Sequence, residues 1–478
     1  MIVGRKEEII LMESLLESSK AELVAIYGRR RIGKTFLIKN VYENRICFEF
    51  TGTQNATLSN QLFKFFEKIE TYFPNQSGNF QKPKSWSEGF SILKKCLLKS
   101  GDEKPIIFFD ELPWIASKRS EFLEEFAYWW NDWASSQQII VVICGSAASW
   151  MLNKVINHKG GLHNRVTKRI NLKPFTLAET KLYLESMGIN WDDYQIIQFY
   201  MAVGGVPTYL NEAQRGETVT QTIDRIFFGD DIFLRSEFDN LYAALFEGYQ
   251  NHISIIKALS EQWKGLSRQE IIQKTHLKDG GNLTQILEEL ESSSFISKLF
   301  PMGKKQKNVI YRLSDEYSLF YLKFIEKKSG NIKNEWLKIA SSESYKIWCG
   351  YAFEGICIKH IESIKIALGI SGIYTETASF MFKGNADEEG FQIDLLIDRA
   401  DNAINLCEIK FSNDDFQMTE NYTNQLRKRR EAFRRVSKTK KQIFNTLITT
   451  YGVKHSKGSL GQIDHIITMD KLYILQKF

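Results

Sequence analysis

The clearest chemical pattern lies in residues 23–42, LVAIYGRRRIGKTFLIKNVY, where a glycine-bounded loop separates an apolar segment from an amphipathic one. The loop reads Gly28-x-x-x-x-Gly33-Lys34-Thr35, which between a strand and a helix is typical of phosphate binding. Its backbone N–H groups can surround phosphates at the positive end of the helix. Lys34 would neutralise β- and γ-phosphate oxygens, and the Thr35 hydroxyl would bind Mg²⁺. A basic surface turn is the alternative, and the full pattern favours a site for ATP and Mg²⁺.

A strand that ends in acids accompanies this loop. Residues 104–114, KPIIFFDELPW, place Asp110 and Glu111 after an apolar run, where the carboxyl edge of a parallel sheet meets a nucleotide. We expect Asp110 to hold the Mg²⁺ shell and Glu111 to polarise the attacking water, although a plain strand end has the same pattern. After a third apolar strand, Ser146 either senses the γ-phosphate or belongs to a tight turn. Arg165 either acts as an arginine finger or binds the acidic surface of its own domain.

A second polar group lies in the last third of the chain. In CEIKFS, residues 407–412, strand alternation places Glu408 and Lys410 on one face. The preceding segment alternates around Asp394 and then turns at RADN, so we expect a hairpin that brings Asp394 beside Glu408 and Lys410. Two close carboxylates can bind Mg²⁺ or Mn²⁺, and the lysine can stabilise a phosphate in the transition state. The alternative is a solvated strand with a cross-strand ion pair.

Glu354 interrupts an apolar helical stripe that includes Tyr351 and Ile358. A carboxylate that faces a core is costly unless a metal ion, a cation or a hydrogen-bond network compensates it. Glu354 is therefore a candidate fourth member of the same site.

A basic run follows this candidate site. Residues 427–441, RKRREAFRRVSKTKK, hold nine basic side chains against one acid. A solvated helix face is the common alternative, but cations next to a metal site suit the backbone of DNA, with affinity and no sequence readout.

Composition and length limit the remaining possibilities. A chain of 478 residues exceeds one core and suggests about three modules, and a net charge of +6 permits nucleic acid without requiring it. Six cysteines show neither zinc spacing nor a C-x-x-C pair, which indicates a reducing compartment. No apolar run approaches the ~18 residues that span a bilayer. We expect a cytoplasmic protein without a membrane partner.

The elements that must position these residues form an α/β protein of several domains. Between the two candidate sites, Ser267 and Glu270 form a capping box in a run of helices followed by a hairpin, the outline of a winged helix. Its third helix is acidic, so packing or a lid role is favoured over DNA readout, although lysines of the wing can touch a backbone. The predicted domains are a P-loop ATPase core with a parallel sheet (1–170), a helical lid (171–245), a winged-helix-like module (246–315), an aromatic connector (316–344) and a C-terminal α/β domain (345–478).

The N-terminal half resembles AAA-like ATPases of the STAND type, particularly prokaryotic ATP-binding proteins that begin with a Gly-Arg box. Ile2-Val3-Gly4-Arg5 fits that box, which in the family meets adenine. The segment GGVPTYL resembles the family's G-x-P element and would place Pro207 near the base. The resemblance therefore implies that Arg5 and Pro207 contribute to nucleotide binding.

Residues 345–478 resemble the PD-(D/E)xK nuclease superfamily, in the order helix with Glu, strand with Asp, strand with Glu-x-Lys, helix. By that resemblance Asp394 and Glu408 are metal ligands, Lys410 is the catalytic lysine, and Glu354 completes the metal shell. One position departs from the pattern, because Ile393 stands where the motif's name has proline.

Together these features predict an ATP-hydrolysing protein whose nucleotide state controls a C-terminal, metal-dependent, nuclease-like domain that acts on DNA. The pairing of such domains suggests a role in genome defence or in the biology of mobile elements. The rival hypothesis is an ATP-dependent regulatory switch that binds DNA or a protein partner through a catalytically inactive nuclease-like domain. A homo-oligomer is compatible with either hypothesis.

Overall fold

The chain divides into two compact units. The first consists of Met1–Pro174, Ala244–Glu247 and Leu287–Ser294, and the second of Phe175–Ala243, Gly248–Ile286 and Phe295–Phe478. The computed structural model describes residues 2–78, 80–117, 120–157, 160–229, 233–302, 309–327, 335–382, 384, 390–455 and 461–474. Among these residues, no helix has both the length and the apolar character needed to cross a membrane.

The first unit is built on a parallel sheet of five strands. The strands are β1 Glu22–Tyr27, β2 Ile46–Thr51, β3 Ile106–Asp110, β4 Ile140–Gly145 and β5 Lys168–Asn171. Their order is β2-β3-β4-β1-β5. Successive residues of β1 are buried in different cores, Leu23 and Ala25 in one and Val24 and Ile26 in the other, because both faces of the sheet are covered.

Helices on the two faces of this sheet complete the first unit. They are α1 Lys6–Ser14, α2 Lys34–Val41, α3 Leu58–Tyr72, α4 Pro74–Ser77, α5 Trp86–Ser100, α6 Leu112–Ile115, α7 Phe122–Asp132 and α8 Ala148–Trp150. The strand order puts β4 between β1 and β3, and parallel strands end at the same edge. The ends of β1, β4 and β3 therefore lie side by side, and this confirms the predicted parallel α/β core.

The second unit begins with the segment predicted as a helical lid. Side chains of Thr176 and Asp192 cap the first two helices by accepting backbone N–H groups, which satisfies donors that a helix start leaves free. The helices are α9 Leu177–Ser186, α10 Asp193–Val203, α11 Pro207–Leu210, α12 Val219–Ile223 and α13 Phe233–Leu245. Most of the lid segment therefore belongs to the same unit as the C-terminal domain.

The middle module follows, and we use this name for residues 248–313. Its elements are α14 Gln250–Ser260, β6 Leu266–Ser267, α15 Arg268–Thr275, α16 Gly281–Ser292, β7 Ile296–Leu299 and β8 Ile310–Leu313. The strands form a small antiparallel sheet in the order β6-β8-β7. The predicted capping box of Ser267 and Glu270 is present, and the assignment of a winged helix remains a prediction. The wing lysines Lys304, Lys305 and Lys307 lie outside the described residues.

The C-terminal domain contains a mixed sheet in the order β15-β13-β11-β10-β9. Its strands, with the small pair β12 and β14, are β9 Thr375–Phe382, β10 Phe391–Arg399, β11 Ala403–Lys410, β12 Phe416–Met418, β13 Gln442–Thr449, β14 Val453–His455 and β15 His465–Thr468. The helices are α17 Glu316–Phe324, α18 Glu335–Ala340, α19 Glu343–Lys359, α20 Ile361–Ala367 and α21 Glu420–Ser437. Strands β10 and β11 pair antiparallel with Leu395 opposite Cys407, which confirms the predicted hairpin.

The segment 316–344, predicted as an aromatic connector, contributes to the core of the C-terminal domain. Phe320 and Phe324 pack against Trp348 of α19, with ring centroids 5.6 and 5.2 Å apart. These rings are buried, so they act as packing groups rather than as a surface for stacking bases.

Candidate functional site

Two glycines shape the loop between β1 and α2. Gly28 has φ +148°, and a Cβ atom there would lie 2.2 Å from the carbonyl oxygen of Leu172, so a side chain is excluded. Gly33 has φ +88°, a left-handed conformation that favours glycine, and it immediately precedes α2. The loop therefore has the backbone freedom that the phosphate-binding motif requires.

Lys34 lies inside this loop rather than on the surface. Its ammonium donates to the carbonyl oxygens of Gly28 and Arg29, at 2.9 Å each, and the residue is only 6% exposed. Phosphate oxygens are stronger acceptors than neutral carbonyls because the hydrogen bond is then charged on both sides. The loop thus holds a buried ammonium where a polyphosphate fits.

The two predicted Mg²⁺ ligands of the first unit meet. Thr35 Oγ1 donates to Asp110 Oδ2 at 2.9 Å, and Asp110 is buried. A hydroxyl and a carboxylate are hard oxygen donors of the type that Mg²⁺ prefers. The placement fits the ion that accompanies ATP in proteins with this motif.

Glu111 and Ser146 also come together, because β4 lies between β1 and β3. Glu111 has the left-handed φ of +48°, and its Oε2 accepts hydrogen bonds from Ser146 N at 3.1 Å and Ser146 Oγ at 2.8 Å. The sequence did not predict this contact, since it depends on strand order. The contact gives Ser146 a role in holding the predicted water-polarising carboxylate.

The weaker predictions for the ATP site have separate outcomes. Arg5 is buried and its Nη2 donates to Ile32 O of the phosphate-binding loop at 3.4 Å, so the Gly-Arg box is tied to that loop. Arg165 is exposed in a turn before β5. Pro207 begins α11 in the second unit, and its contact with a base remains a prediction.

In the C-terminal domain, the hairpin brings Asp394, Glu408 and Lys410 together. Asp394 Oδ2 accepts the backbone N–H of Ile409 at 3.0 Å, and Lys410 Nζ donates to Glu408 Oε1 at 2.9 Å. Glu354 of α19 is near enough for its charge and that of Asp394 to affect one another. The four predicted residues therefore lie in one region of the domain.

Two arginines that sequence reasoning did not single out belong to this region. Arg429 Nη1 of α21 donates to both Glu408 oxygens, at 2.9 and 2.8 Å. Arg312 of β8 lies with its Nη2 atom 4.0 Å from Glu354 Oε2. Arg429 could have been found, since it shares a helical face with the buried Leu426 and Phe433. Arg312 carries no such signal.

The charges divide the three carboxylates into two classes. Burial raises the pKa of Glu354, and the charge of Asp394 adds to this; burial and the charge of Glu408 likewise raise the pKa of Asp394. For Glu408, burial acts in the same direction, but Lys410 and Arg429 outweigh it and the pKa is lowered. The cations are thus concentrated around Glu408, while the negative charges of Glu354 and Asp394 are only weakly compensated.

The predicted convergence of Glu354, Asp394 and Glu408 on one metal ion is not found. Their oxygens are chemically suited to Mg²⁺ or Mn²⁺. However, in the part of the chain that the structure describes, no three His, Cys, Asp or Glu side chains are placed to hold an ion. The physical reason is that Glu408 is drawn into its ion pair with Arg429 and Lys410. Among the described residues, these three carboxylates are therefore not grouped around one ion position.

The basic helix, predicted over 427–441, begins earlier and ends earlier than predicted. Helix α21 ends at Ser437, because Lys438 takes a left-handed φ of 53°, so the segment 438–441 is not helical. Exposed cations nevertheless extend from the helix into this segment: Arg427, Lys428, Arg434, Arg435, Lys438 and Lys440. We refer to these six side chains as the basic face.

Comparisons with known proteins agree with the geometry of the first unit. Residues 2–213 match a family described as an ATPase domain predominantly from Archaea. An uncharacterised protein of Methanocaldococcus jannaschii is 26% identical over 361 residues, which cover 74% of this chain and 76% of that protein. An uncharacterised ATP-binding protein of the same archaeon is 51% identical over 45 residues, 9% of this chain and 76% of that protein.

Among solved structures, the Walker-type ATPase of Pyrococcus abyssi is similar in fold, with a TM-score of 0.50 and 18% identity over 67% of this chain and 96% of that one. The family match and the fold lead to the same assignment as the geometry of Lys34, Thr35 and Asp110. Residues 2–213 of this chain therefore match an ATPase domain family and carry the geometry of a phosphate-binding loop.

Proposed function

We propose that this protein is an ATP-hydrolysing switch whose second unit binds a nucleic-acid backbone beside a nuclease-like site. The observation that carries the proposal is the position of α21. Arg429 of this helix pairs with Glu408 of the predicted site, and the exposed Arg427, Lys428, Arg434 and Arg435 of the same helix belong to the basic face. A phosphate backbone that follows the basic face would therefore run past Glu408 and Lys410.

The chain's own residues divide the ATP reaction among them. Lys34 would exchange its carbonyl partners for phosphate oxygens, and Thr35 and Asp110 would hold Mg²⁺. The Mg²⁺ that accompanies ATP neutralises phosphate charge. Glu111, restrained by Ser146, accepts a hydrogen bond from the attacking water and orients it toward the γ-phosphate.

Contacts within the second unit support control of the C-terminal domain by the lid. Tyr194 of α10 stacks on Phe411, with ring centroids 5.1 Å apart, and Phe411 packs on Phe353 at 5.3 Å. Phe411 directly follows Lys410, and Phe353 directly precedes Glu354. A shift of the lid helix would therefore move the backbone at both ends of the candidate site.

Phosphate release from ATP tests the first part of the proposal. Lys34→Ala should abolish hydrolysis, and Glu111→Gln should retain bound ATP without turning it over. Wild-type turnover in both variants would refute the assigned roles.

Fluorescence anisotropy with a labelled DNA duplex, at several salt concentrations, tests the second part. The double variant Arg427→Gln/Lys428→Gln should weaken binding and lower the log–log salt slope by about two. The matched control Lys68→Gln/Lys95→Gln removes the same charge from exposed helices of the first unit and should leave binding unchanged. Equal weakening by the two double variants would contradict a specific basic face.

The proposed control of DNA binding by nucleotide can be tested by measuring the affinity for DNA in the presence of ATP, in the presence of ADP and without nucleotide. Tyr194→Ala should retain hydrolysis and lose the nucleotide effect on DNA affinity. The exposed Tyr128 provides the matched control, and Tyr128→Ala should retain both. A nucleotide effect that persists in Tyr194→Ala would show that this contact does not transmit it.

Phosphodiester cleavage is the second candidate function. It is favoured by the arrangement of Asp394, Glu408 and Lys410 at one end of a strand pair next to the basic face. Incubation with DNA and Mg²⁺ or Mn²⁺, with and without ATP, should show cleavage that Lys410→Ala abolishes. Equal products from wild type and variant would leave the regulatory switch, in which the domain binds without cutting. A role in genome defence fits either outcome.

A further inference from the structure

The middle module contributes a charged side chain to the candidate nuclease site. Arg312 lies in β8, and its Nη2 atom is 4.0 Å from Glu354 Oε2 and donates to the carbonyl oxygen of Tyr351 at 3.4 Å. Tyr351 and Glu354 both belong to α19. Arg312 is only 9% exposed, so its charge acts on this site rather than on solvent.

This contact is loose for a buried arginine. A guanidinium has five N–H donors and usually pairs with a carboxylate through two parallel hydrogen bonds. Burial lowers the pKa of Arg312, and the charges of Glu354 and Asp394 act in the opposite direction. The same two carboxylates are the ones that Lys410 and Arg429 leave weakly compensated, since both of these cations bind Glu408.

We infer that Arg312 occupies the electrostatic position of a divalent cation beside Glu354, so that the middle module and a metal ion compete for this carboxylate. The inference rests on the proposed nuclease-like site, and it gives Arg312 the place beside Glu354 that Lys410 and Arg429 have beside Glu408. A divalent ion cannot approach Glu354 without displacing or repelling the guanidinium. Arg312 is therefore a positioning residue that lowers the affinity of the site for metal.

Binding of Mn²⁺ to the full-length protein without nucleotide tests this inference. Asp110→Asn in every sample removes the ion ligand of the ATP site, and titration calorimetry or the paramagnetic resonance of free Mn²⁺ reports affinity. Arg312→Gln should tighten binding by a factor on the order of ten, since couplings between sites are usually of this size. Adding Glu354→Gln should abolish the gain.

A matched control lies in the same module. Arg268 pairs with Asp279 at 2.7 Å, away from the candidate site in sequence, and Arg268→Gln should leave Mn²⁺ affinity unchanged. Arg312→Lys keeps the positive charge and should remain close to wild type. A structural role for Arg312 would instead lower the melting temperature of Arg312→Gln and leave Mn²⁺ affinity within about twofold of wild type, and this result would overturn the inference.

Hydrogen–deuterium exchange of the Asp110→Asn protein gives a second test in case Arg312→Gln does not fold. Saturating Mn²⁺ should increase exchange of residues 309–313 when Arg312 is present, and this increase should be lost when Glu354→Gln is added. Unchanged exchange would count against competition, as would the lack of any Mn²⁺ binding. Both measurements omit DNA, so failure of DNA binding would sink the proposed function and leave this test intact.

Discussion

Acidification from pH 7 to pH 5 is expected to destabilise the second unit through one buried histidine. His360 directly follows α19 and is 5% exposed. Its Nε2 accepts the backbone N–H of Leu177 at 2.9 Å, and its Nδ1 lies 2.8 Å from Ile356 O. These partners assign the proton to Nδ1, because Nε2 must remain an acceptor. A second proton would place an N–H group against the N–H group of Leu177 and break the junction between α9 and α19.

The size of the effect follows from the pKa of His360. Burial lowers this pKa from 6.5 to about 4, while the hydrogen bond to Ile356 opposes the shift and the charge of Lys359 adds to it. The folded state therefore binds fewer protons than the unfolded state between these values. The contribution of neutral His360 to the free energy of unfolding is fully present above pH 6.5 and is lost as the pH falls toward 4. At about 1.4 kcal/mol per unit, the free energy of unfolding should drop by about 2 kcal/mol at pH 5.

Urea denaturation at pH 7 and pH 5, followed by circular dichroism, measures this loss. His360→Gln keeps an acceptor but cannot be protonated, so its loss of unfolding free energy between the two pH values should be about 2 kcal/mol smaller than that of wild type. His163→Gln, at an exposed position of the first unit, should behave as wild type. Identical pH dependence in His360→Gln and wild type would refute the reasoning.

Three further predictions concern single substitutions. Ser146→Ala removes one of two hydrogen bonds to Glu111, so kcat for ATP hydrolysis should fall about tenfold with KM unchanged, as steady-state kinetics would show; unaltered kcat would exclude a positioning role. Gly205→Ala would place a Cβ atom 1.9 Å from Phe175 O and should lower the free energy of unfolding by about 1–3 kcal/mol or more. Gly350→Ala lies within α19 with nothing near its Cβ position, so it should raise the free energy of unfolding by about 0.5–1 kcal/mol. Thermal denaturation of both glycine variants measures these changes, and a change of the opposite sign in either variant would contradict the prediction.

Local patterns predicted the elements that depend on local backbone geometry. The loop from Gly28 to Thr35 must combine left-handed glycines with a helix start, and such a requirement is written in consecutive residues. The alternation around Asp394 predicted the β10–β11 hairpin for the same reason, since side chains of a strand alternate between two faces. The end of α21 was missed because a left-handed lysine, Lys438, has no strong sequence signature.

The partners of the charged groups were beyond such patterns. Ser146 reaches Glu111 only because β4 inserts between β1 and β3, and this order follows from packing. The predicted metal shell of Glu354, Asp394 and Glu408 also depended on distances that spacing along the chain does not contain.

The phosphate-binding loop, the acidic strand and the Glu-x-Lys hairpin can all be predicted from the order of residues, because each follows from the periodicity or conformational needs of neighbouring residues. The charges that these groups meet depend on the folded chain. Arg312 and Arg429 approach Glu354 and Glu408 from separate elements, β8 and α21. Electrostatic energy depends on distance through space and on burial, and both are properties of the folded chain rather than of its order.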